Sequence, residues 1–332
     1  MERAINRNDV AKRAGVAPST VSHVINGTKY VSDNVKERVL RVIQELDYEP
    51  NLLARSFKTN STKQITVLVS SLDNFEELYR GMYETAFDAG YSLSVVIAND
   101  NRVNYYSSCY AHRIEGIINL SRFFCDEKEY KKLIAHNVAV VNVLPGRENY
   151  EVGINYVNAI ETFINKVLEK GRTRIAFLAD TSRAEIEPDT RLIATRYFLE
   201  KAGYPLDDSL LRCFEDNTVS LNPSEFGYTA MNDVLDKCTN TNAVYCVNDY
   251  VALGAYKSIS EHGLRVPDDI SICGCDDILV SCYMTPSISS MGIDKVEFGR
   301  NCMVNILEQL KGNWDKERKI ILFADYLARN SV

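Results

Sequence analysis

The chain has 332 residues, 45% hydrophobic and 25% charged, with 38 Lys/Arg against 45 Asp/Glu and a formal net charge of −7. This is the composition of an ordinary soluble globular protein, long enough for two or three structural units. No run of eighteen apolar residues suggests a membrane span, and nine scattered cysteines without a C-x-x-C pair exclude a disulfide framework or zinc site.

The first elements are short helices. Val10, Ala11 and Ala14 fit one helix face, and Val21, Val24 and Ile25 fit another, with Gly15 between them. Pro18 suits the first position of the second helix, where its missing N–H costs nothing. Two short helices joined by a tight Gly turn present the second helix to a DNA major groove. With Val21, Val24 and Ile25 inward, Ser19, Ser22, His23 and Asn26 face outward, and His23 suits a purine edge. A third helix is expected over "DNVKERVLRVIQEL", with Ser32 as N-cap and Val35, Val39, Ile43 and Leu46 as its apolar stripe. Its opposite face carries Lys36, Arg38 and Arg41. Residues 1–60 hold ten basic and seven acidic residues, a net of +3, so the remainder carries −10. A mildly basic head on an acidic body suits nucleic-acid binding by the head alone.

Next comes "EPNLLARSFK", residues 49–58, where Pro50 can open a helix and Leu53 and Phe57 share a face at i, i+4. Such a helix is too short to stand alone in water, so a linker that folds only against a partner is expected. From residue 65 short apolar runs alternate with amphipathic segments. The strands expected are "ITVLVSS", "SLSVVIAND", "IEGIINL", "VAVVNVL", "IAFLAD", "NAVYCVND" and "DISICGCDD". Helices are expected over "FEELYRGMYETAFDAGY", "NAIETFINKVLEKGR", "DTRLIATRYFLEKAGY" and "VALGAYKSISEHGL". Continuous apolar strands alternating with helices imply parallel sheets covered on both faces, in two successive α/β units. Ligands in such units bind beyond the carboxyl ends of the strands, where Asp73, Asn74, Asn99, Asp100, Asn248, Asp249, Asp276 and Asp277 fall.

The stretch from Asn6 to Lys58, and "NDYVALGAYKSISEHGLRVPDDISICGCDDI" with "YMTPSISS" further on, resemble the lactose-repressor (LacI/GalR) family of bacterial transcription regulators. "TVSHVIN" is most similar to the family's purine-repressor branch. The resemblance spans essentially the whole chain. It implies an α/β fold: a three-helix helix-turn-helix head (1–48) and a hinge helix (49–60), then a two-lobed periplasmic-binding-protein-like core with parallel sheets. The first lobe would comprise 61–155 plus 292–318 and the second 156–291 plus 319–332. Crossings would fall near Asn155, near Ser290 and before "KIILF". The resemblance assigns base reading to Pro18, Ser19 and His23, and backbone contacts to Thr20, Ser22 and Asn26. It assigns minor-groove insertion to Leu53, Phe57 and Lys58, with Phe57 as the wedge at the operator centre. A small effector would sit between the lobes against Asp73, Phe75, Arg191, Asn248 and Asp276, while Asp277 is expected to cap a helix. The implied assembly is a homodimer on a pseudopalindromic duplex, with no membrane, no metal and no cofactor.

Departures from the family pattern bear on the ligand. Ala17 stands where Ser or Thr usually caps the recognition helix. Leu144, Asn217 and Ile293 replace an Asp, an aromatic platform and a Gln common in sugar-responsive members. A sugar or related polar metabolite is the expected effector, with a non-sugar ligand or a protein partner as the alternative. Two other classes compete. A transport solute-binding protein would share the core, but "MERAINRND" lacks a signal-peptide pattern and the head is unexplained, so a cytoplasmic protein is expected. An enzyme using Asp276 and Asp277 as an acid pair, or Cys246 as nucleophile, lacks an orienting His near either. There is also no G-x-x-x-x-G-K-[ST] and no G-x-G-x-x-G.

Overall fold

The computed structural model describes residues 5–49, 61–98, 113–121, 127–143, 152–214, 222–238, 240–313 and 319–332. The chain divides into two compact units, Met1–Thr62 and Lys63–Val332.

The first unit is three helices: α1 (Arg7–Ala14), α2 (Pro18–Asn26) and α3 (Asp33–Glu45). Asn6 caps α1 in a reciprocal capping box with Asp9. Gly15 ends it in the left-handed conformation (φ 65°), which lets the chain turn sharply into α2. Pro18 opens α2 as expected. Ala17 provides no side-chain cap, and Ser32, although at the N-cap position of α3, makes no capping bond either. Val10, Ala11, Ala14, Val21, Val39 and Val42 form the core, with Val16, Val24, Ile25, Val35, Ile43 and Leu46 packed around it.

The second unit runs β1 (Gln64–Val69), α4 (Glu76–Asp88), β2 (Ser92–Ile97), β3 (Gly116–Asn119), α5 (Glu127–Ala135), β4 (Ala139–Asn142) and β5 (Val152–Asn155). It continues through α6 (Val157–Glu169), β6 (Ile175–Ser182), α7 (Arg183–Ile186), α8 (Thr190–Lys201), β7 (Leu211–Phe214), α9 (Pro223–Lys237), β8 (Ala243–Cys246) and α10 (Asp249–Glu261). It ends with β9 (Ser271–Cys273), α11 (Leu279–Tyr283), β10 (Ser290–Gly292), α12 (Lys295–Leu310), β11 (Ile320–Phe323) and β12 (Asp325–Leu327). Two four-stranded parallel sheets result, ordered β2-β1-β3-β4 and β7-β6-β8-β9. Each has its own core, so the unit is two-lobed. One core gathers Ile65, Val67, Met82, Ile118, Val141, Phe298 and Ile306, the other Phe163, Phe177, Leu192, Tyr245, Val251 and Ile272. Both strand orders reverse direction beside their first strand, which opens a crevice at the carboxyl ends there.

In each lobe one helix pair crosses at glycines. A Cβ on Gly81 would lie 1.9 Å from the Val296 carbonyl, so α4 and α12 touch backbone to backbone. A Cβ on Gly254 would lie 1.9 Å from the Ser224 carbonyl, which brings α10 equally close to α9. Strand β11 pairs with β5, and Ile320 and Leu322 pack on the first lobe's core. The third crossing therefore follows "KIILF" rather than preceding it: Ala324 already belongs to the second lobe's core. Pairing with β5, not its position near the C-terminus, decides which lobe holds that strand. Among the described residues no helix is long and apolar enough to cross a membrane.

Candidate functional site

On α2, Pro18, Ser19 and Asn26 are exposed, while Thr20, Ser22 and His23 are half-buried. Three of these polar groups, those of Ser22, His23 and Asn26, are partly satisfied within the head. Ser22 accepts a hydrogen bond from Arg7 Nη1 (2.8 Å) and donates to the Pro18 carbonyl. Asn26 Nδ2 donates to the Ser22 carbonyl at 2.8 Å. His23 Nδ1 lies 2.9 Å from Thr28 Oγ1, a contact that sets the orientation of the ring. Neither Arg7 nor Thr28 was signalled by helical spacing, because both lie outside the α2 face they support. Leu53, Phe57 and Lys58 lie outside the described residues, as do Asn99, Asp100, Leu144 and Asn217.

In the second unit a cavity of about 120 Å³ opens between the lobes. Asn74, Leu78, Lys295 and Phe298 come from the first lobe, Asp276 from the second, and Ile154, Tyr156, Met291, Gly292 and Ile293 from the segments joining them. Ile293, which stands where sugar-responsive members commonly have a Gln, thus forms part of an apolar wall. Asp276 lines the cavity. Burial raises its pKa above the usual carboxylate range, against the pull of Arg191 and Lys295.

Arg191 stands beside it and is held by a partner the sequence reading did not assign. Asp189 accepts from Arg191 Nε (3.0 Å) and Nη2 (2.7 Å), a two-pronged pair, while Nη1 donates to the Val247 carbonyl at 2.7 Å. The guanidinium lies over the Tyr156 ring at 5.6 Å. Burial opposes ionisation of both groups, but each stabilises the other: Asp189 is held below its ordinary pKa and Arg191 well above. Asp189 is also the N-cap of α8, so the helix start fixes the pair. Asn248 caps α10 by accepting from the Val251 N–H, and its Nδ2 donates to Asp180 Oδ1 at 2.9 Å. Neither Arg191 nor Asn248 is among the residues that line the cavity. Asp180, on β6, was not foreseen.

The other strand-end residues do different work. Asp73 is exposed and bonded to the Ser71 hydroxyl (2.8 Å). Phe75 packs on the first lobe's core, its ring 5.6 Å from Tyr79, and neither residue lines the cavity. Asp277 caps no helix; its carboxylate pairs with Arg329, which is 17% exposed. Asp249 is fully buried and accepts from Ser290 Oγ (2.7 Å), Ser281 Oγ (2.9 Å) and the Ile278 N–H (2.8 Å). Those three donors tie α10 to α11 and β10. Burial outweighs them and raises the Asp249 pKa to about 7. Gly274 makes room for it, since a Cβ there would lie 2.0 Å from Asp249 Oδ1. Cys246, Cys273 and Cys275 are buried, and burial pushes the Cys246 thiol well up. That makes Cys246 a poor nucleophile.

Comparison with known proteins matches residues 8–51 to the model of bacterial regulatory proteins of the lacI family. Residues 164–332 match that of the periplasmic binding protein-like domain. The HTH-type transcriptional repressor PurR of Pasteurella multocida is 30% identical, over 98% of this chain and 97% of its own. The ribose operon repressor of Haemophilus influenzae is 27% identical over the same shares. Among solved structures, the lac repressor dimer bound to operator and an anti-inducer has a TM-score of 0.83 at 22% identity, covering 99% of both chains. The transcriptional regulator CelR in complex with cellobiose has a TM-score of 0.71 at 24% identity, covering 99% of this chain and all of its own. A helix-turn-helix head and a two-lobed core with a cavity between the lobes, matched along nearly the whole length of a repressor, lead to one conclusion: the chain belongs to the lacI family of bacterial regulatory proteins.

Proposed function

We propose that this protein is a cytoplasmic transcriptional repressor that binds a pseudopalindromic operator as a homodimer, under the control of a small polar effector. The observation that carries this reading is the pairing, in one chain, of an exposed polar helix face with an interlobe cavity lined by Asp276, on which the buried Arg191 charge acts. Pro18, Ser19 and His23 read bases, and Thr20, Ser22 and Asn26 meet the backbone. Leu53, Phe57 and Lys58 enter the minor groove at the operator centre, where a pyrimidine–purine step kinks at lower cost. One short helix reads few base pairs, so pairing two heads supplies the information needed to find a site.

The second copy meets exposed apolar surface on both lobes. On α4 the rings of Tyr79, Tyr83 and Phe87 follow one another at 6.0 Å spacings, with Phe87 68% exposed. On α11, Leu279 and Tyr283 are 72% and 79% exposed. Exposed apolar side chains grouped on two helices favour a protein interface.

The effector is a sugar or related polar metabolite, as the names of the ribose operon repressor and the cellobiose complex suggest. Asp276 accepts its hydroxyls, and Arg191 supplies a donor already aimed by Asp189. Apolar walls at Ile293 and Met291 and the PurR relatives keep a purine as the second reading. A thermal-shift screen of sugars, sugar phosphates, nucleosides and purines tests this: a native-state ligand raises the melting temperature. Arg191→Ala is expected to lose that shift while duplex binding by the head persists. A full shift retained in Arg191→Ala contradicts the assignment of the cleft.

A further inference from the structure

Lys295, the first residue of α12, was not marked by any sequence pattern, yet it is one of the most buried cations in the second unit, 11% exposed. Its ammonium donates to Asn74 Oδ1 on its own lobe (2.8 Å) and to the Asp277 carbonyl on the other lobe (2.8 Å). Asn74 Nδ2 adds a weaker bond to the Asp276 carbonyl at 3.4 Å. Its nearest carboxylate is Glu77, at 3.8 Å and 57% exposed, which is too loose and too wet to account for burying the charge. The close partners are neutral oxygens from two lobes, and a surface ion pair does not explain that arrangement.

The backbone shows what these bonds do. Asn74, Asp276 and Asp277 all have positive φ, at 57°, 89° and 49°. Asn and Asp tolerate the left-handed region better than other side chains, but each such residue persists only where its surroundings hold it. Strand β10, which packs on the second lobe's core, supplies part of that hold: the Asp276 N–H donates to the Met291 carbonyl and the Asp277 N–H to Ser290 Oγ. The carbonyls of both residues are then taken by donors from the first lobe.

We propose that Lys295 is a positioning residue of the effector site, a clasp from the first lobe that holds the Asp276–Asp277 loop, and so the Asp276 carboxylate, in place before an effector arrives. The proposal rests on the cleft being the effector site and adds how that site is regulated. When the lobes separate, the loop loses the bonds that hold its carbonyls, and Asp276 is free to leave its binding position. Effector affinity then scales with the fraction of molecules in which the clasp is made. Asn74 is the second member of the clasp, because it orients the ammonium and touches the loop itself.

Amide hydrogen exchange on the full-length, ligand-free protein tests this without any effector or DNA, so its outcome is separate from that of the thermal-shift screen. Lys295→Met keeps the side chain's length and apolar packing. It is expected to speed exchange about tenfold or more in peptides covering 274–279 and 73–77, the scale of a lost charge-assisted hydrogen bond. Peptides in β6 and β8 are expected to stay at wild-type rates. Lys295→Arg, which keeps the charge and donors, should restore most of the protection, and Glu77→Gln should change nothing. Asn74→Gly, which keeps the positive φ and removes the side chain, should reproduce the Lys295→Met pattern and serves if that variant does not fold. Unchanged exchange at 274–279 in both variants, or equal loosening across the whole first lobe, overturns the clasp.

Discussion

The polar residues of the head and those of the cleft are used in opposite ways. On α2 they lie on one exposed or half-buried face, and their internal bonds are to neighbours within a few residues or to Arg7. Around the cleft Arg191, Asn248, Asp249 and Lys295 are tied into bonds within the core, many of them long-range. The difference teaches where a substitution should hurt. An exposed head residue can be removed with a loss felt mainly in DNA binding, whereas a cleft residue takes a buried partner's compensation with it.

Arg191→Met gives the largest effect expected on this view. Asp189, 11% exposed, would be left buried without its guanidinium, a loss on the order of 3–5 kcal/mol. Denaturant unfolding of the core should show it, together with loss of any effector-induced thermal shift. A stability loss below about 1 kcal/mol would mean the pair is far more solvated than its geometry indicates.

Asp249 sharpens the comparison through pH. Its pKa is raised from 3.8 to about 7 in the folded protein, so the folded state holds a proton there that the unfolded state has released. The sign follows: the contribution is fully present below about pH 4 and is lost as pH rises towards 7, at up to about 1.4 kcal/mol per pH unit. Subtracting the unfolding free energy of Asp249→Asn from that of wild type should isolate this falling slope from the opposite slopes of Asp189 and Asp233. Equal slopes in both proteins would place the Asp249 proton outside the account.

In the head the effects are smaller and touch DNA or local stability. His23→Ala should cost about 1–3 kcal/mol against the preferred site and relax preference at one position per half-site. Equal weakening on every duplex would reassign His23 to the backbone. Ala17→Ser should add the missing cap to α2 and stabilise the head by about 0.5–1 kcal/mol. Thermal unfolding of the head's transition is the readout, and no gain would mean that the α2 N–H groups are already satisfied.

The same contrast explains what could be read from the sequence. Val10, Val21 and Val39 announced the head because helical spacing is local, and short apolar runs announced the parallel strands. Asp189 was within reach, since its N-cap position two residues before Arg191 is a local signal. So was α9, which Asn222 caps and Pro223 opens. Lys295 was not, because its first-lobe partner Asn74 lies 221 positions away. Asp277 looked like a cap for the same reason: Arg329 sits 52 positions further on. The placement of β11 depended on pairing with β5, which no property of "KIILF" by itself contains.

As proposed, this chain reads a symmetric DNA site. Selection of duplexes from a random pool by the full-length protein, sequenced after several rounds, tests it most directly. The account predicts enrichment of a pseudopalindrome with a pyrimidine–purine step at its centre, bound with an affinity that falls steeply as salt rises. A pool that stays random, or an enriched site without two-fold symmetry, would contradict it.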